Sequence, residues 1–343
     1  MSKEWGPVQN FMLSKNNLIS IVLTAYNGEK YIAEQIDSII NQTYDNWELI
    51  ICDDKSKDNT LKIANTYAKK DKRIKIITNE INLGVSKNFE TGLKQCKGDF
   101  IMVGNVDDYW LTTKIFEETE YLYKHPDIDL VYHDAIIVNS DLKIIKDSFR
   151  KKLKGNFLTI RKINIKDDSL NVLLKENHIT GPTIMFSKKL VPYLLPMPSE
   201  TLEDIWIVLV SAANFKIGYI DKTLIKYRQH QSNLVGSKTK GFKYYLSNLF
   251  NKEFAFNYIR STSTYLLVLE ELKKRTINER EKDIIQKKIS CMGLILTLLK
   301  NKNNFYLPYF FLNSIFKIIK TKQNYHVFFL LYFFMYKINF LKK

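Results

Sequence analysis

From residue 18 to residue 106 the chain alternates short apolar runs with stretches in which apolar residues recur every three or four positions. The apolar runs predict strands, and the other stretches predict helices that cover them. The predicted strands are residues 18–24 (LISIVLT), 47–53 (WELIICD), 73–79 (RIKIITN) and 99–106 (DFIMVGNV). The predicted helices are residues 29–42, a helix that begins near Asn59, and residues 86–96. This alternation predicts an α/β fold with a mostly parallel, Rossmann-like sheet and flanking helices.

The alternation is looser after residue 108. Helices are predicted at residues 112–124, 168–176 and 204–213, and strands at residues 128–138, 183–187 and 216–228. Beyond Gly236 the strand patterns stop, and the remaining residues have the apolar and Lys-rich faces of helices. We therefore predict an N-terminal extension (1–17), an α/β domain (18–236) and a helical C-terminal domain (237–343).

Composition indicates a folded intracellular protein. The chain has 343 residues, of which 45% are hydrophobic, and this is enough for a substantial core. Its three cysteines (Cys52, Cys96 and Cys291) are far apart and have neither disulfide nor zinc-site spacing. The N-terminus lacks the apolar stretch of a signal peptide, and no run reaches the roughly 20 apolar residues that span a bilayer. We expect a cytoplasmic location.

Positive charge is concentrated towards the C-terminus. From Gly241 onwards, 18 Lys or Arg residues outnumber 6 Asp or Glu residues, which accounts for +12 of the net charge of +16. A segment of this kind attracts polyanions, either nucleic acid or the anionic inner leaflet of a membrane. Residues 327–336 are consecutively apolar, too few to cross a bilayer but enough for a helix in its surface or among neighbouring helices.

The C-terminal residues leave two interpretations open. Their aromatic residues and lysines favour peripheral contact with an anionic membrane surface, at the inner face of the cell membrane. The alternative is a helical domain that packs on the α/β domain or on a second subunit of a homo-oligomer. Nucleic acid is disfavoured as a partner, because the basic residues interleave with bulky aliphatic residues instead of forming a polar stripe.

Polar clusters follow three predicted strands, at residues 24–27 (TAYN), 53–56 (DDKS) and 105–108 (NVDD). Ligands of open parallel sheets bind beyond the carboxyl ends of the strands. No GxGxxG follows the first strand, which argues against a dinucleotide held on glycine amides. Paired carboxylates can hold a diphosphate through Mg²⁺ or Mn²⁺, which prefer oxygen ligands. An Asp-Asp pair after a strand is also a common turn that caps a helix, so the residues alone leave both roles open.

Four consecutive segments resemble family-2 glycosyltransferases with the GT-A fold. They are ISIVLTAYNGEKYIAEQIDSIINQTYDNWELIICDDKSKDNT, INLGVSKNFETGLKQCKGDFIMVGNVDDYW, ITGPTIMFSKKL and LEDIWIVLVSAANFKIGYIDKTLIKYRQHQSN. The resemblance covers residues 18–236, and the order of several motifs makes it more specific than any single motif. The NFE, DDYW and YRQH elements resemble the rhamnosyltransferase-like branch of the family.

The resemblance implies a pocket for a nucleotide-diphospho-sugar donor. It places Thr24 and Tyr26 in the nucleotide pocket and lets Asp53 or Asp54 contact the base. Two further residues, Thr180 and Gly181, would lie where the donor sugar and the acceptor approach each other.

A DxD motif implies a divalent metal, Mn²⁺ or Mg²⁺, on the donor diphosphate. The resemblance makes Asp107 the metal-binding second aspartate, with Asp108 beside it. Its first position, a ribose contact, is Asn105 here, and an amide can hydrogen-bond a hydroxyl but adds no charge. In YRQH, Arg228 and His230 match residues that close over the diphosphate, and His230 is a further candidate metal ligand.

Asp204, in LEDIW, matches the position of the family's catalytic base. It would deprotonate an acceptor hydroxyl for in-line attack on the anomeric carbon, with inversion. Taken alone, Glu203 and Asp204 could equally be acidic residues that stabilise the start of a helix.

The function implied is transfer of a sugar from dTDP-rhamnose or a UDP-hexose to a saccharide or lipid-linked saccharide, in the synthesis of a cell-surface polysaccharide. The alternative is a catalytically decayed GT-A scaffold that binds a nucleotide sugar or a partner, for which Asn105 is the only indication.

Overall fold

The computed structural model of the protein describes residues 17–149, 169–174, 177, 179–230 and 252–300. The strands in these ranges are β1 Ile19–Ala25, β2 Trp47–Asp53, β3 Ile74–Thr78, β4 Phe100–Asn105, β5 Tyr109–Trp110, β6 Leu130–Val138, β7 Ile144–Lys146, β8 Ile184–Ser187 and β9 Ile217–Arg228. The helices are α1 Ile32–Ile40, α2 Thr60–Ala68, α3 Val85–Leu93, α4 Lys114–Lys124, α5 Ser169–Leu173, α6 Val191–Leu194, α7 Glu203–Asn214, α8 Lys252–Arg275 and α9 Glu279–Lys300. Short 3₁₀ turns cover Gly181–Thr183 and Lys188–Leu190.

All described strands join one sheet in the order β3-β2-β1-β4-β8-β6-β9-β5, with β7 paired to β6. The pairs among β3, β2, β1 and β4 are parallel. Strand β8 then runs antiparallel to both β4 and β6, and β5 is antiparallel to β9. The predicted α/β class is therefore confirmed, and the sheet is parallel in its first half and mixed in its second.

Helices cover both faces of the parallel half, so the strands β1, β2 and β4 are buried on both sides, whereas the edge strand β3 is partly exposed. Val22 belongs to the cluster that contains Phe89 of α3. Its neighbour Ile21 belongs to the cluster on the other face, with Ile36 of α1. Successive strand residues point to opposite faces. This two-sided burial explains why the predicted strands are continuous apolar runs instead of alternating ones.

The apolar period of the sequence predicted the long elements but not the short ones. Strands β1 to β4, β6, β8 and β9 and helices α1 to α4 and α7 lie where the pattern predicts them. The two-residue β5 and the three-residue β7 were not predicted, because so few residues show no period. The predicted domain boundary near residue 237 and the extension 1–17 lie outside or at the edge of the described residues.

The C-terminal helices α8 and α9 pack against the α/β domain. Leu269 and Leu272 of α8 and Ile285 of α9 are fully buried in the cluster that contains Trp206 of α7. Arg275 at the end of α8 donates hydrogen bonds to the carbonyls of residues 193 and 196. This part of the helical region thus contacts the α/β domain, whereas the aromatic tail at residues 301–343 lies outside the described residues. None of the described helices is long and apolar enough to cross a membrane.

Candidate active site

Parallel register brings three polar strand ends side by side. Thr24 of β1 is paired with Asn105 of β4, and Ala25 is paired with Asp53 of β2. The backbone N–H of Asp54 donates to the carbonyl of Ala25 at 2.8 Å, which continues the pairing past the strand end. The three clusters predicted from sequence therefore share one edge of the sheet.

Both carboxylate oxygens of Asp54 accept hydrogen bonds from other residues of the chain. Its Oδ1 accepts hydrogen bonds from the backbone N–H of Leu83 at 2.8 Å and from the side-chain amide of Asn79 at 2.9 Å, and its Oδ2 accepts from the backbone N–H of Gly84 at 2.9 Å. Gly84 has a φ of 79° and precedes the first residue of α3, and this left-handed conformation favours glycine. Asp54 thus fixes the turn that leads into α3.

Asp53 keeps one oxygen without a partner. Its Oδ2 accepts from the backbone N–H of Ser56 at 3.0 Å. Its Oδ1 is buried and has no hydrogen-bond partner among the described residues. A buried acceptor without a donor is costly, so this oxygen can gain a hydrogen bond from an N–H of a ligand. Of the two predicted base contacts, Asp53 has the free acceptor.

The loop after β1 lies against the turn after β4. A Cβ at Gly28 would lie 2.7 Å from Cγ2 of Val106, so only a glycine allows this approach. Tyr26, predicted to line the nucleotide pocket, is 47% exposed, and Thr24 is half-buried. An exposed tyrosine beside two polar strand ends is available to a ligand.

Asp107 and His230 come together although 123 residues separate them. The imidazole Nε2 lies 3.1 Å from Oδ2 of Asp107. Both side chains stay partly accessible, with exposed fractions of 14% for His230 and 20% for Asp107. The structure therefore brings together two of the three predicted metal ligands at an accessible edge.

Arg228 faces the protein interior. Its side chain is 1% exposed, and its Nε donates to the carbonyl of Asp107 at 2.8 Å. The guanidinium also donates to the carbonyl of Ser140 and to the carboxylate of Glu34, and it lies over the ring of Tyr31. This differs from the predicted contact with a diphosphate, because these hydrogen bonds direct the guanidinium to the Asp107 turn.

Asp108 is fully buried, which conflicts with its predicted role as a metal ligand. Burial, and then the charge of Asp107, raise the pKa of Asp108 well above its usual range. Its Oδ1 accepts from the backbone N–H of Arg228 at 3.4 Å. The positive charges of Arg228 and of Lys114, which forms a fully buried ion pair with Glu118 at 2.6 Å, act in the opposite direction. Asp108 thus supports the end of β9 from the interior, and its Oδ2 is buried without a partner among the described residues.

Asp204 lies in the first turn of α7. Its Oδ1 accepts from the backbone N–H of the next residue, Ile205, at 2.7 Å, and its Oδ2 accepts from the N–H of Gly181 at 3.1 Å. The side chain is half-buried. Burial raises the pKa of Asp204 to about 6, against the lowering effect of those N–H groups. The predicted partners Thr180 and Gly181 therefore lie against the predicted base.

Glu203 is buried more deeply than Asp204, with one oxygen that has no partner among the described residues. Burial, and then the charge of Asp204, raise the pKa of Glu203 to about 8. The pKa values of both carboxyl groups are therefore raised, and that of the more deeply buried Glu203 is raised further.

Tyr227 of β9 links the two acidic regions. Burial raises the pKa of its hydroxyl, and the negative charges of Asp108, Asp107 and Asp204 raise it further. Gly181, which donates to Asp204, also lies close to β4, since a Cβ at this position would be 3.2 Å from Cγ1 of Val103. The start of α7 and the strand that leads into the DxD turn therefore lie near each other, as the combined effect of the three carboxylates on Tyr227 also indicates. Sequence reasoning missed Tyr227, and its place directly before the RQH residues is the only signal that could have indicated it.

One of two cavities among the described residues adjoins the start of α7. This cavity, of about 230 Å³, is lined by residues 83–87 at the start of α3 and by residues 199–202, which lead into Asp204. The other, of about 530 Å³, lies near β9 and includes Asp134 and Asp221, which belong to none of the predicted clusters. Within the described residues no group of three or more His, Cys, Asp or Glu side chains is arranged to hold a metal ion.

Comparison with known proteins gives a consistent result. The model of the family described as Glycosyl transferase family 2 matches residues 20–194. The UDP-Glc:alpha-D-GlcNAc-diphosphoundecaprenol beta-1,3-glucosyltransferase WfgD of Escherichia coli is 30% identical over 227 residues, 66% of this chain and 83% of that protein. An uncharacterized glycosyltransferase of Methanocaldococcus jannaschii is 29% identical over 236 residues, 66% of this chain and 77% of that protein.

Solved structures share the fold. The crystal structure of S. aureus TarS 1–349 in complex with UDP-GlcNAc matches with a TM-score of 0.53 at 19% identity, over 88% of this chain and 81% of that one. The mannosyltransferase PcManGT from Pyrobaculum calidifontis, in complex with GDP-Man and Mn²⁺, matches with a TM-score of 0.51 at 11% identity, over 91% and 85% of the two chains. With the family match over about half of its length and a GT-A-type α/β fold, this chain belongs to glycosyl transferase family 2.

Proposed function

We propose that this chain is a metal-dependent, inverting glycosyltransferase that moves a sugar from a nucleoside-diphosphate donor to a saccharide or lipid-linked saccharide. The observation that carries the proposal is the placement of a half-buried Asp204, through its contact with Gly181 beside β4, in the same region as the accessible pair of Asp107 and His230. This transfer needs a base for the acceptor and ligands for the cation that holds the diphosphate. Asp204 is the proposed base, and Asp107 and His230 are the proposed ligands.

The donor is supported by Asp53 and by the relatives. The unpartnered Oδ1 of Asp53 can accept the ring N–H that uracil and thymine both carry, so it suits UDP and dTDP equally. The WfgD protein is named for UDP-glucose, and TarS was solved with UDP-GlcNAc. A UDP-hexose is the first donor to test, and dTDP-rhamnose, which the DDYW and YRQH elements favour, is the second.

A divalent cation fits the pair of Asp107 and His230. A carboxylate such as that of Asp107 is the kind of ligand that Mg²⁺ and Mn²⁺ prefer, and a neutral imidazole such as that of His230 can also bind a metal. The Nε2 of His230 and the Oδ2 of Asp107 lie 3.1 Å apart, so both could contact one cation. Mg²⁺ and Mn²⁺ are commonly held by one or two protein ligands together with substrate phosphates, so a site of two side chains is sufficient. The bound cation would neutralise charge on the leaving diphosphate.

Asp204 is the proposed base. With a pKa of about 6 it is ionised at neutral pH, yet more basic than an exposed aspartate. Its carboxylate would take the proton of the acceptor hydroxyl while the hydroxyl oxygen bonds to the anomeric carbon and the nucleoside diphosphate leaves from the opposite side. That arrangement inverts the anomeric centre.

A lipid-linked acceptor is supported by the name of one relative and by the positive charge of the C-terminal residues. WfgD is named for a diphosphoundecaprenol-linked acceptor. The cavity of about 230 Å³ lined by residues 83–87 and 199–202, which precede Asp204 in the chain, offers space for an acceptor sugar. The excess of Lys and Arg after Gly241 would attract the anionic inner face of the membrane, where a lipid-linked acceptor resides. We therefore place the reaction at that face, in the assembly of a surface polysaccharide.

A donor screen tests the proposal. The purified chain is incubated with UDP-glucose, UDP-GlcNAc and dTDP-rhamnose, with Mn²⁺ or with EDTA, and released nucleotide is measured with and without a lipid-linked saccharide. The proposal predicts Mn²⁺-dependent release from one donor, abolished in Asp107→Ala and Asp204→Asn with the fold retained. Equal release by wild type and both variants would reject the assignment of these residues. Nucleotide binding without any turnover would instead favour the decayed scaffold.

A further inference from the structure

Helix α1 carries a polar stripe towards the DxD turn. Its apolar residues face the core, but four polar residues of the α1 segment are also buried, at 9% exposure or less. They are Tyr31, Gln35, Ser38 and Gln42. With the partly exposed Glu34, they are spaced three or four residues apart, which places them on one side of the helix.

The C-terminal part of this stripe holds the residues that follow the DxD motif. Ser38 accepts a hydrogen bond from the backbone N–H of Trp110 at 3.1 Å. Gln42 donates to the carbonyl of Leu111 at 2.9 Å and accepts from the backbone N–H of Ile115 at 3.1 Å. These contacts fix residues 110–115 against α1.

The N-terminal part of the stripe contacts His230, which forms the proposed cation site together with Asp107. The ring of Tyr31 stacks on the imidazole of His230, with centroids 5.0 Å apart and 25° between the planes. Arg228 also contacts this ring, and its guanidinium carbon lies 4.4 Å from the centroid of Tyr31. Glu34 forms an ion pair with the same guanidinium. Since Arg228 also donates to the carbonyl of Asp107, one helix start contacts both sides of the pair.

We propose that Tyr31 and Glu34 are positioning residues for the cation site formed by Asp107 and His230. Neither touches the cation or the donor: Tyr31 sets the plane of the imidazole, and Glu34 orients the guanidinium that supports the Asp107 carbonyl. Residues that orient metal ligands commonly contribute 10- to 100-fold in metal affinity. The inference rests on the proposed function, because it assumes that this pair binds a divalent cation.

The test is Mn²⁺ binding, followed by the electron paramagnetic resonance signal of free Mn²⁺ at saturating UDP. The variants are Tyr31→Leu, which removes the ring, Tyr31→Phe, which keeps it, and Glu34→Ala. Asp37→Ala is the matched control, because Asp37 is an exposed acid of the same helix. We expect the dissociation constant for Mn²⁺ to rise about tenfold in Tyr31→Leu and Glu34→Ala. It should stay within about twofold of wild type in Tyr31→Phe and in the control.

A merely structural role would lower the melting temperature without changing Mn²⁺ affinity at 25 °C, so both are measured. Mn²⁺ affinity within twofold of wild type in folded Tyr31→Leu and Glu34→Ala would overturn the inference while leaving the metal site intact. If Glu34→Ala does not fold, because the buried charge of Arg228 loses its partner, Tyr31→Leu and its Phe counterpart decide. Wild-type protein that binds no Mn²⁺ even with UDP would instead reject the metal site itself, and this inference with it.

Discussion

The turn after β2 and the turn after β4 look alike in sequence, since each is an Asp-Asp pair at the end of a parallel strand. In the first turn, Asp54 accepts hydrogen bonds from three N–H donors, whereas one oxygen of Asp53 has no hydrogen-bond partner among the described residues. In the second, Asp108 is buried in the interior, and Asp107 stays accessible beside His230. The two members of each pair therefore have different surroundings: Asp53 and Asp54 are both buried but differ in their donors, and Asp107 and Asp108 differ in exposure.

The third acidic pair follows the same division in the opposite order. Glu203 is buried with a pKa raised to about 8, and Asp204 is half-buried with a pKa raised to about 6. Adjacent carboxylates are therefore not interchangeable, because the donors and the burial around each one set its role. Substitutions within a pair should have different effects.

The largest effect is expected for Asp204→Asn. An amide cannot take a proton from the acceptor, so turnover should fall by about 10²- to 10⁴-fold. The amide oxygen still accepts a backbone N–H, so the fold should remain. The measurement is the rate of sugar transfer, with Asp221→Asn, an exposed acid of β9, as the control at wild-type rate. A rate for Asp204→Asn within threefold of wild type would exclude it as the base.

Next is the contrast between Asp54→Ala and Asp53→Ala. Asp54→Ala leaves three donors without their acceptor and should lower the free energy of unfolding by about 3 kcal/mol. Asp53→Ala leaves one such donor and should cost about 1 kcal/mol, but it should weaken UDP binding about tenfold. Urea unfolding and UDP titration measure the two effects. Equal destabilisation by the two changes would contradict the division of roles.

A smaller effect is expected for Glu203→Gln. Because burial raises the pKa of Glu203 to about 8, the folded state holds its proton more tightly than the unfolded state does. Stability due to this group is therefore complete at low pH and is lost as pH rises towards 8. Glu203→Gln should remove that loss, so it should stabilise the protein at pH 8 and have little effect at pH 4. Unfolding at both pH values is the test, and a pH-independent difference would refute the protonated state.

The smallest effect is the pH profile of the wild type. Because the pKa of Asp204 is about 6, its carboxylate is protonated as pH falls through that value. We expect kcat/KM to be level above pH 7 and to fall about tenfold per unit below pH 6. A profile that stays level down to pH 4.5 would show that Asp204 is not titrating as the base.

The sequence predicted the fold well where elements are long and periodic. The sequence also predicted that the three strand-end clusters lie at one edge of the sheet, because the carboxyl ends of neighbouring parallel strands meet at the same edge. The direction of β8 could not be predicted, since an apolar run looks the same in either direction. The inward orientation of Arg228 depends on Glu34, 194 residues away, and on Ser140, 88 residues away. No local pattern contains that information, and the same holds for which aspartate in each pair is buried.

The most direct test of the account is a UDP titration with and without Mn²⁺ on wild type, Asp107→Asn and Asp108→Asn. Asparagine at 108 keeps an acceptor for the backbone N–H of Arg228, so this variant should keep the Mn²⁺-enhanced UDP affinity within about threefold. Asparagine at 107 removes the accessible carboxylate, and the enhancement should disappear. Equal loss in both variants, or none in Asp107→Asn, would contradict the claim that Asp107, and not Asp108, binds the cation.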